Sequence, residues 1–105
     1  MAWIYLILAG LCEVGWPVGL KIAQRGGTRA AGIAVAAVFM AVSGWLLYLA
    51  QKQIPIGTSY AIWTGIGAAG TFLVGVLFYG DPASPGRFLG IVLIVAGVAA
   101  LRLAP

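Results

Sequence analysis

Eight charged residues are all that this chain contains, and where they stand decides what it can become: segments 1–12, 30–51, 53–80 and 88–101 carry none. Too little charge is left to clothe a soluble surface. Hydrophobic residues make up 63% of the chain before its 16 glycines are added, whereas apolar residues including glycine make up roughly 45–50% of soluble domains. The solvent for most of this sequence is therefore lipid. A helix needs about 20 apolar residues to cross the hydrocarbon, and four segments supply them, roughly 3–22, 30–51, 57–79 and 85–103. Barrel strands would show short alternating segments, but these runs are long and apolar all round, as helices require. The expected fold is an all-α integral membrane protein, one domain over 1–105, with four transmembrane helices. Its connectors carry turn chemistry: Gln24-Arg25-Gly26-Gly27, Gln51-Lys52-Gln53-Ile54-Pro55 and Gly80-Asp81-Pro82-Ala83-Ser84-Pro85.

Several function classes fall away at once. Six basic residues against two acids give a net charge of +4. The basic residues, Lys21, Arg25, Arg29, Lys52, Arg87 and Arg102, all stand between or at the ends of the apolar runs, where lipid headgroups and water account for them and nucleic acid is not needed. There is no histidine and a single cysteine, Cys12, so a His-based triad, a zinc site and an intrachain disulfide are all impossible. No enzyme, metal or cofactor is expected. The first apolar run does not read as a signal peptide, because no basic segment precedes it and Glu13 interrupts it.

Glu13 is the residue that carries chemistry. A helix begun at Trp3 places it about 15 Å along the axis, near the middle of a hydrocarbon layer about 30 Å thick. An ionised carboxylate at that depth costs at least about 2.5–3.5 kcal/mol, so it should face protein or water and bind something cationic. The plain alternative is a protonated Glu hydrogen-bonded to a neighbouring helix. Low-dielectric surroundings favour the neutral form of a carboxyl group, so proton and substrate cation would compete for one site. A carrier that changes sides only when Glu13 is neutralised by one or the other couples opposite fluxes.

Helical periodicity gathers a face around this residue. At 100° per residue Gly10, Glu13, Trp16, Pro17 and Leu20 share one arc, so the carboxylate lies between a glycine gap and an indole. Trp16 is placed to flank whatever Glu13 binds, unless it serves as an interfacial anchor. Pro17 has no amide proton, so the Glu13 carbonyl four residues earlier loses its helical partner; a bend follows, or a proline tolerated without a role. In the third segment Tyr60, Trp63, Gly67, Gly70 and Val74 share a stripe, suited to holding a cation's face or simply to packing. Ser43 is the hydroxyl well inside the second segment, free to reach the site or to bond back to its own helix. Gly65-Ile66-Gly67-Ala68-Ala69-Gly70 matches a dinucleotide-binding pattern only formally, because it lies inside a span with no strand before it. Gly65 and Gly67 instead thin the helix for a bend or a close approach. The seven-residue spacing of Gly90 and Gly97 also reads as a helix contact. One carboxylate per chain is a meagre site, and an oligomer bringing two copies of Glu13 together is the economical construction.

Taken together, these residues resemble the small multidrug resistance family of bacterial four-helix transporters. The likeness runs along the whole chain: Met1-Ala2-Trp3-Ile4, the Glu13-Val14-Gly15-Trp16 turn followed by Leu20-Lys21, the run from Pro55 through Tyr60-Ala61-Ile62-Trp63-Thr64 to Ala68, and a glycine-spaced last helix. Trp after Glu-Val-x and Thr after Ala-Ile-Trp resemble the guanidinium exporter subtype rather than the quaternary-ammonium one. The resemblance implies a proton-coupled exporter of guanidinium-type cations in the bacterial inner membrane, working as an antiparallel homodimer. It also implies that Glu13 of both subunits binds protons and substrate in turn, that Trp16, Ser43, Tyr60 and Trp63 line the pocket, and that Gly90 and Gly97 belong to the dimerising helix. Pro17 and Ser59 depart from the subtype, which usually has a small residue such as Ala at the first position and Ala at the second. The rival readings are a broad exporter of quaternary ammonium drugs, a passive cation channel and a structural membrane subunit. Topology fits the dimer: Lys21, Arg25, Arg29 and Arg87 fall on one side and Lys52 and Arg102 on the other, a bias weak enough for insertion both ways.

Overall fold

The computed structural model describes residues 1–105, and every regular element in it is helical. Five helices make four spans: α1 (Ala2–Glu13) and α2 (Gly15–Ala23) together form the first, and α3 (Arg29–Gln51), α4 (Ile56–Phe78) and α5 (Pro85–Leu103) the others. Each span is long and apolar enough to cross a bilayer. The first crosses as one span, Ala2–Ala23, with helical dihedrals at Val14, but its hydrogen-bond ladder is interrupted. It breaks at Val14, whose amide donates to the Leu11 carbonyl 3.3 Å away instead of reaching back four residues, and Pro17, lacking an amide proton, withholds the bond that would have re-formed the ladder across the gap.

The ends of the helices follow from local chemistry. Gly80, at φ +68°, lets the chain turn back so that the Asp81 amide reaches the Gly75 carbonyl at 3.1 Å and closes the end of α4. Ser84 then caps α5, its hydroxyl accepting from the Arg87 amide at 3.4 Å, with Pro85 in the first turn. Between α2 and α3 the Thr28 hydroxyl donates to the Ile22 carbonyl at 2.7 Å and so ties the loop back to the helix it has just left.

Packing is uneven. α2 lies along α3, α1 touches α3 and α4, and α5 packs along α4. The α2–α3 seam is backbone against backbone: a Cβ at Gly19 would stand 2.5 Å from the Ala36 amide nitrogen, so only glycine permits this crossing. Ala2, Leu6, Ala50, Ile54 and Ile62 form a buried cluster, with Trp3 and Trp63 packed against it. At the chain's two ends, Arg102 sits over the Trp3 ring, 4.4 Å from its centroid. The Cα trace is only 17 Å through its thinnest axis, little more than two helices at the usual 8–10 Å separation. A slab this thin leaves its main cavity open at one face.

Candidate functional site

Glu13 ends α1 and Trp16 is the second residue of α2, and across the break between the two helices the Trp16 indole nitrogen Nε1 donates to Glu13 Oε1. The carboxylate is only partly buried and lines a cavity of about 530 Å³. From α4 come Tyr60, Trp63 and Gly67, and Pro17 completes the near wall. Gly67 is there for clearance: a Cβ on it would stand 2.5 Å from Glu13 Cγ, so any larger residue would push the carboxylate out of place. No Lys or Arg lines the cavity. The Glu13 carboxyl group has the Trp16 indole as its one side-chain hydrogen-bond partner, which leaves room for a diffusible cation.

The second indole is fixed differently. Trp63 Nε1 donates to Ser43 Oγ at 2.8 Å, and the Ser43 hydroxyl donates in turn to the Ala9 carbonyl at 2.7 Å. This chain of bonds joins α4, α3 and α1 and holds the Trp63 ring with its N–H turned away from solvent. Tyr60 lies beside it, ring centroids 5.4 Å apart and planes tilted by 55°. Tyr60 is 55% exposed, so its ring and hydroxyl remain available to an occupant. A carboxylate flanked by indole and phenol faces suits a small organic cation, held by charge on one side and by ring quadrupoles on the other.

Two residues expected in the lining stand elsewhere. Ser43 is 1% exposed and lies behind the wall, because its hydroxyl is committed to Ala9 and Trp63; it positions the indole and does not face the cavity. Gly10 is buried against Ile66, whose Cγ2 would stand 2.8 Å from a Cβ at that position, so the gap beside Glu13 is filled by α4. Gly65 also packs outward, towards Val98 of α5. At Gly90 and Gly97 an added Cβ would meet nothing in the chain within 4 Å, and α5 buries no residue.

The cavity includes five residues that the sequence did not mark as pocket-lining: Met40, Gly44, Thr64, Ala68 and Thr71. Thr71 stands four residues after Gly67, and Thr64 four after Tyr60, so both were legible as extensions of the same α4 stripe. Thr64 returns its hydroxyl to the Tyr60 carbonyl at 2.8 Å. Met40 and Gly44, one turn apart on α3, had no such signal, because α3 is apolar all round. No three His, Cys, Asp or Glu side chains come together to hold a metal.

Residues 1–94 match the family described as Small Multidrug Resistance protein. The chain is 48% identical over 104 residues to the guanidinium exporter of Yersinia pseudotuberculosis serotype I (strain IP32953), covering 99% of each chain. It is 48% identical over 103 residues to the guanidinium exporter of Salmonella typhimurium strain LT2, covering 98% of this chain and 97% of the relative. The Citrobacter freundii protein of the same name is 47% identical over 103 residues, with the same coverage.

Proposed function

Because the chain belongs to the small multidrug resistance family, as a multi-pass protein of the bacterial inner membrane, we propose that it exports guanidinium and small substituted guanidinium cations in exchange for protons. The observation that carries this reading is the Glu13 carboxylate, set in mid-span on a cavity without a basic side chain and flanked by Trp16, Tyr60 and Trp63. Relatives sharing nearly half of its residues over almost their full length are named for guanidinium export. Guanidinium is planar and rich in N–H donors, so it can bond a carboxylate in a fork while its faces lie against aromatic rings. A quaternary ammonium ion offers no donor to that carboxylate and relies on the rings alone.

The cycle follows from Glu13 having one charge to offer. Protonated, the carboxyl group no longer attracts the cation; deprotonated, it binds it, so proton and substrate displace one another. An open-faced slab supports an antiparallel homodimer in which two copies of Glu13 share one enclosed site. If the two subunits adopt different shapes, exchanging those shapes converts an inward-open dimer into an equivalent outward-open one, and alternating access needs no internal repeat.

The test is uptake of labelled guanidinium into sealed vesicles holding the purified protein, with and without an imposed proton gradient. A gradient directed outward from the lumen should drive accumulation, and acidifying both sides should weaken binding. Uptake indifferent to the gradient would favour a passive channel. Competition at fixed pH separates the cation classes: guanidinium should displace tetramethylammonium, and the reverse order would favour the quaternary-ammonium reading.

A further inference from the structure

A second cavity, of about 720 Å³, opens where α2 ends and α3 begins, away from Glu13. Its rim is polar, with Gln24, Arg25 and Arg29, and its wall is apolar, with Leu20, Ala23 and Ile33. Leu20 and Ile33 are 41% and 51% exposed, so the wall remains open to lipid. The order from rim to wall repeats that of a phospholipid, whose charged headgroup sits at the membrane boundary and whose chains descend into hydrocarbon. Arg25 and Arg29 flank the span ends at Ala23 and Arg29, the level at which lipid phosphates lie.

Two further features prepare the rim for an anion. The Arg25 guanidinium lies over the Tyr79 ring, 5.7 Å from its centroid. At that distance the contact is a cation–π one, which engages the charge of the guanidinium and uses no hydrogen-bond acceptor, so its N–H groups can still serve a phosphate. Thr28, at the start of α3, makes no side-chain cap, because its hydroxyl is turned to the Ile22 and Arg25 carbonyls. The first amides of α3 beside Arg29 are thus left without a side-chain acceptor. No acidic side chain lines the cavity to neutralise the two arginines.

We propose that this groove is a binding site for an anionic phospholipid, its headgroup phosphate held between Arg25 and Arg29 and an acyl chain lying along Leu20 and Ile33. The site is independent of the transport reading. It would tie the α2–α3 end of each chain to the leaflet that faces it, through two charges and a shaped apolar wall rather than through a diffuse basic surface.

The test is native mass spectrometry of the full chain released from mixed micelles of phosphatidylglycerol and phosphatidylethanolamine. The unaltered protein should retain one phosphatidylglycerol per chain in preference to phosphatidylethanolamine. R25Q/R29Q should weaken that retention about thirtyfold, the effect of removing two interfacial cations. R87Q, which removes a basic residue from the same end of the bundle but outside the groove, should change it by less than about twofold. Equal loss in R87Q would mean diffuse attraction and overturn the site. So would equal retention of phosphatidylethanolamine, or displacement of the lipid by millimolar inorganic phosphate, which would mean a free-anion site. Unchanged far-ultraviolet circular dichroism in both variants keeps the comparison free of unfolding.

Discussion

Glycine serves opposite ends in the two halves of this molecule. Gly19 and Gly32 on the first and second spans are buried, and each is filled at once by the backbone of the facing helix. Gly90 and Gly97, seven residues apart on α5, meet nothing in the chain. Small residues in a membrane helix mark a close approach, but they do not say whether the approaching helix belongs to the same chain. The first three spans close their tightest glycine contacts within the chain and hold the carboxylate; the fourth packs along α4 but leaves Gly90 and Gly97 uncovered. On the function proposed above, chemistry and assembly would fall to different parts of a short chain.

The comparison breaks if either half does the other's work. Glu13→Gln should abolish gradient-driven guanidinium uptake while leaving helicity and oligomeric state unchanged, because an amide neither titrates near neutral pH nor balances a cation; coupled uptake by this variant would take the chemistry out of the first three spans. Gly90→Leu with Gly97→Leu should shift the protein towards monomer in single-molecule or sedimentation measurements, with transport lost in proportion and helix content retained. An unaltered oligomer would show that α5 is not where copies meet.

Smaller effects sharpen the contrast. Gly32→Val inserts methyl groups into a seam with no room for them and should cost about 1–3 kcal/mol of stability, read as a lower midpoint of denaturant unfolding, whereas Gly90→Val alone should leave that midpoint unchanged in a monomerising detergent. Ser43→Ala removes the acceptor for Trp63 Nε1 and should cost about 1–3 kcal/mol, with Trp63 fluorescence broadened as the ring loses its fixed orientation. Arg102→Gln removes the cation over Trp3 that ties α5 to the bundle's first helix, worth about 0.5–1 kcal/mol at an exposed position, and should raise amide exchange in the last turns of α5 only.

How much of this was legible in the sequence depends on what kind of signal each feature leaves. The four spans are written in the charge-free runs, since lipid tolerates little else. Glu13 and its aromatic neighbours stand out by type and by spacing. The Val14 break was not readable as a break: Pro17 announces a missing bond, but whether the helix bends or interrupts depends on what packs against each half. Ser43 could have faced the cavity or its own helix, and it does neither; its partners on α1 and α4 are 34 and 20 residues away, beyond any local pattern. Met40 and Gly44 were hidden for the complementary reason, because an all-apolar helix has no face that periodicity can choose.

The interruption at Val14 has a mechanical consequence. A continuous helix resists bending through every hydrogen bond along its length, and one that lacks a bond in mid-span is compliant at that point and stiff on either side. Here both stiff pieces pack against α3, and α1 packs against α4 as well. The compliant point falls between Glu13 and Trp16, where Val14 lies against Gly70 and Gly15 against the Phe39 ring, so a small rotation of one lever against the other changes the separation of donor and acceptor together with this packing. The Trp16–Glu13 bond therefore spans the one point of this helix where an angle can change most easily.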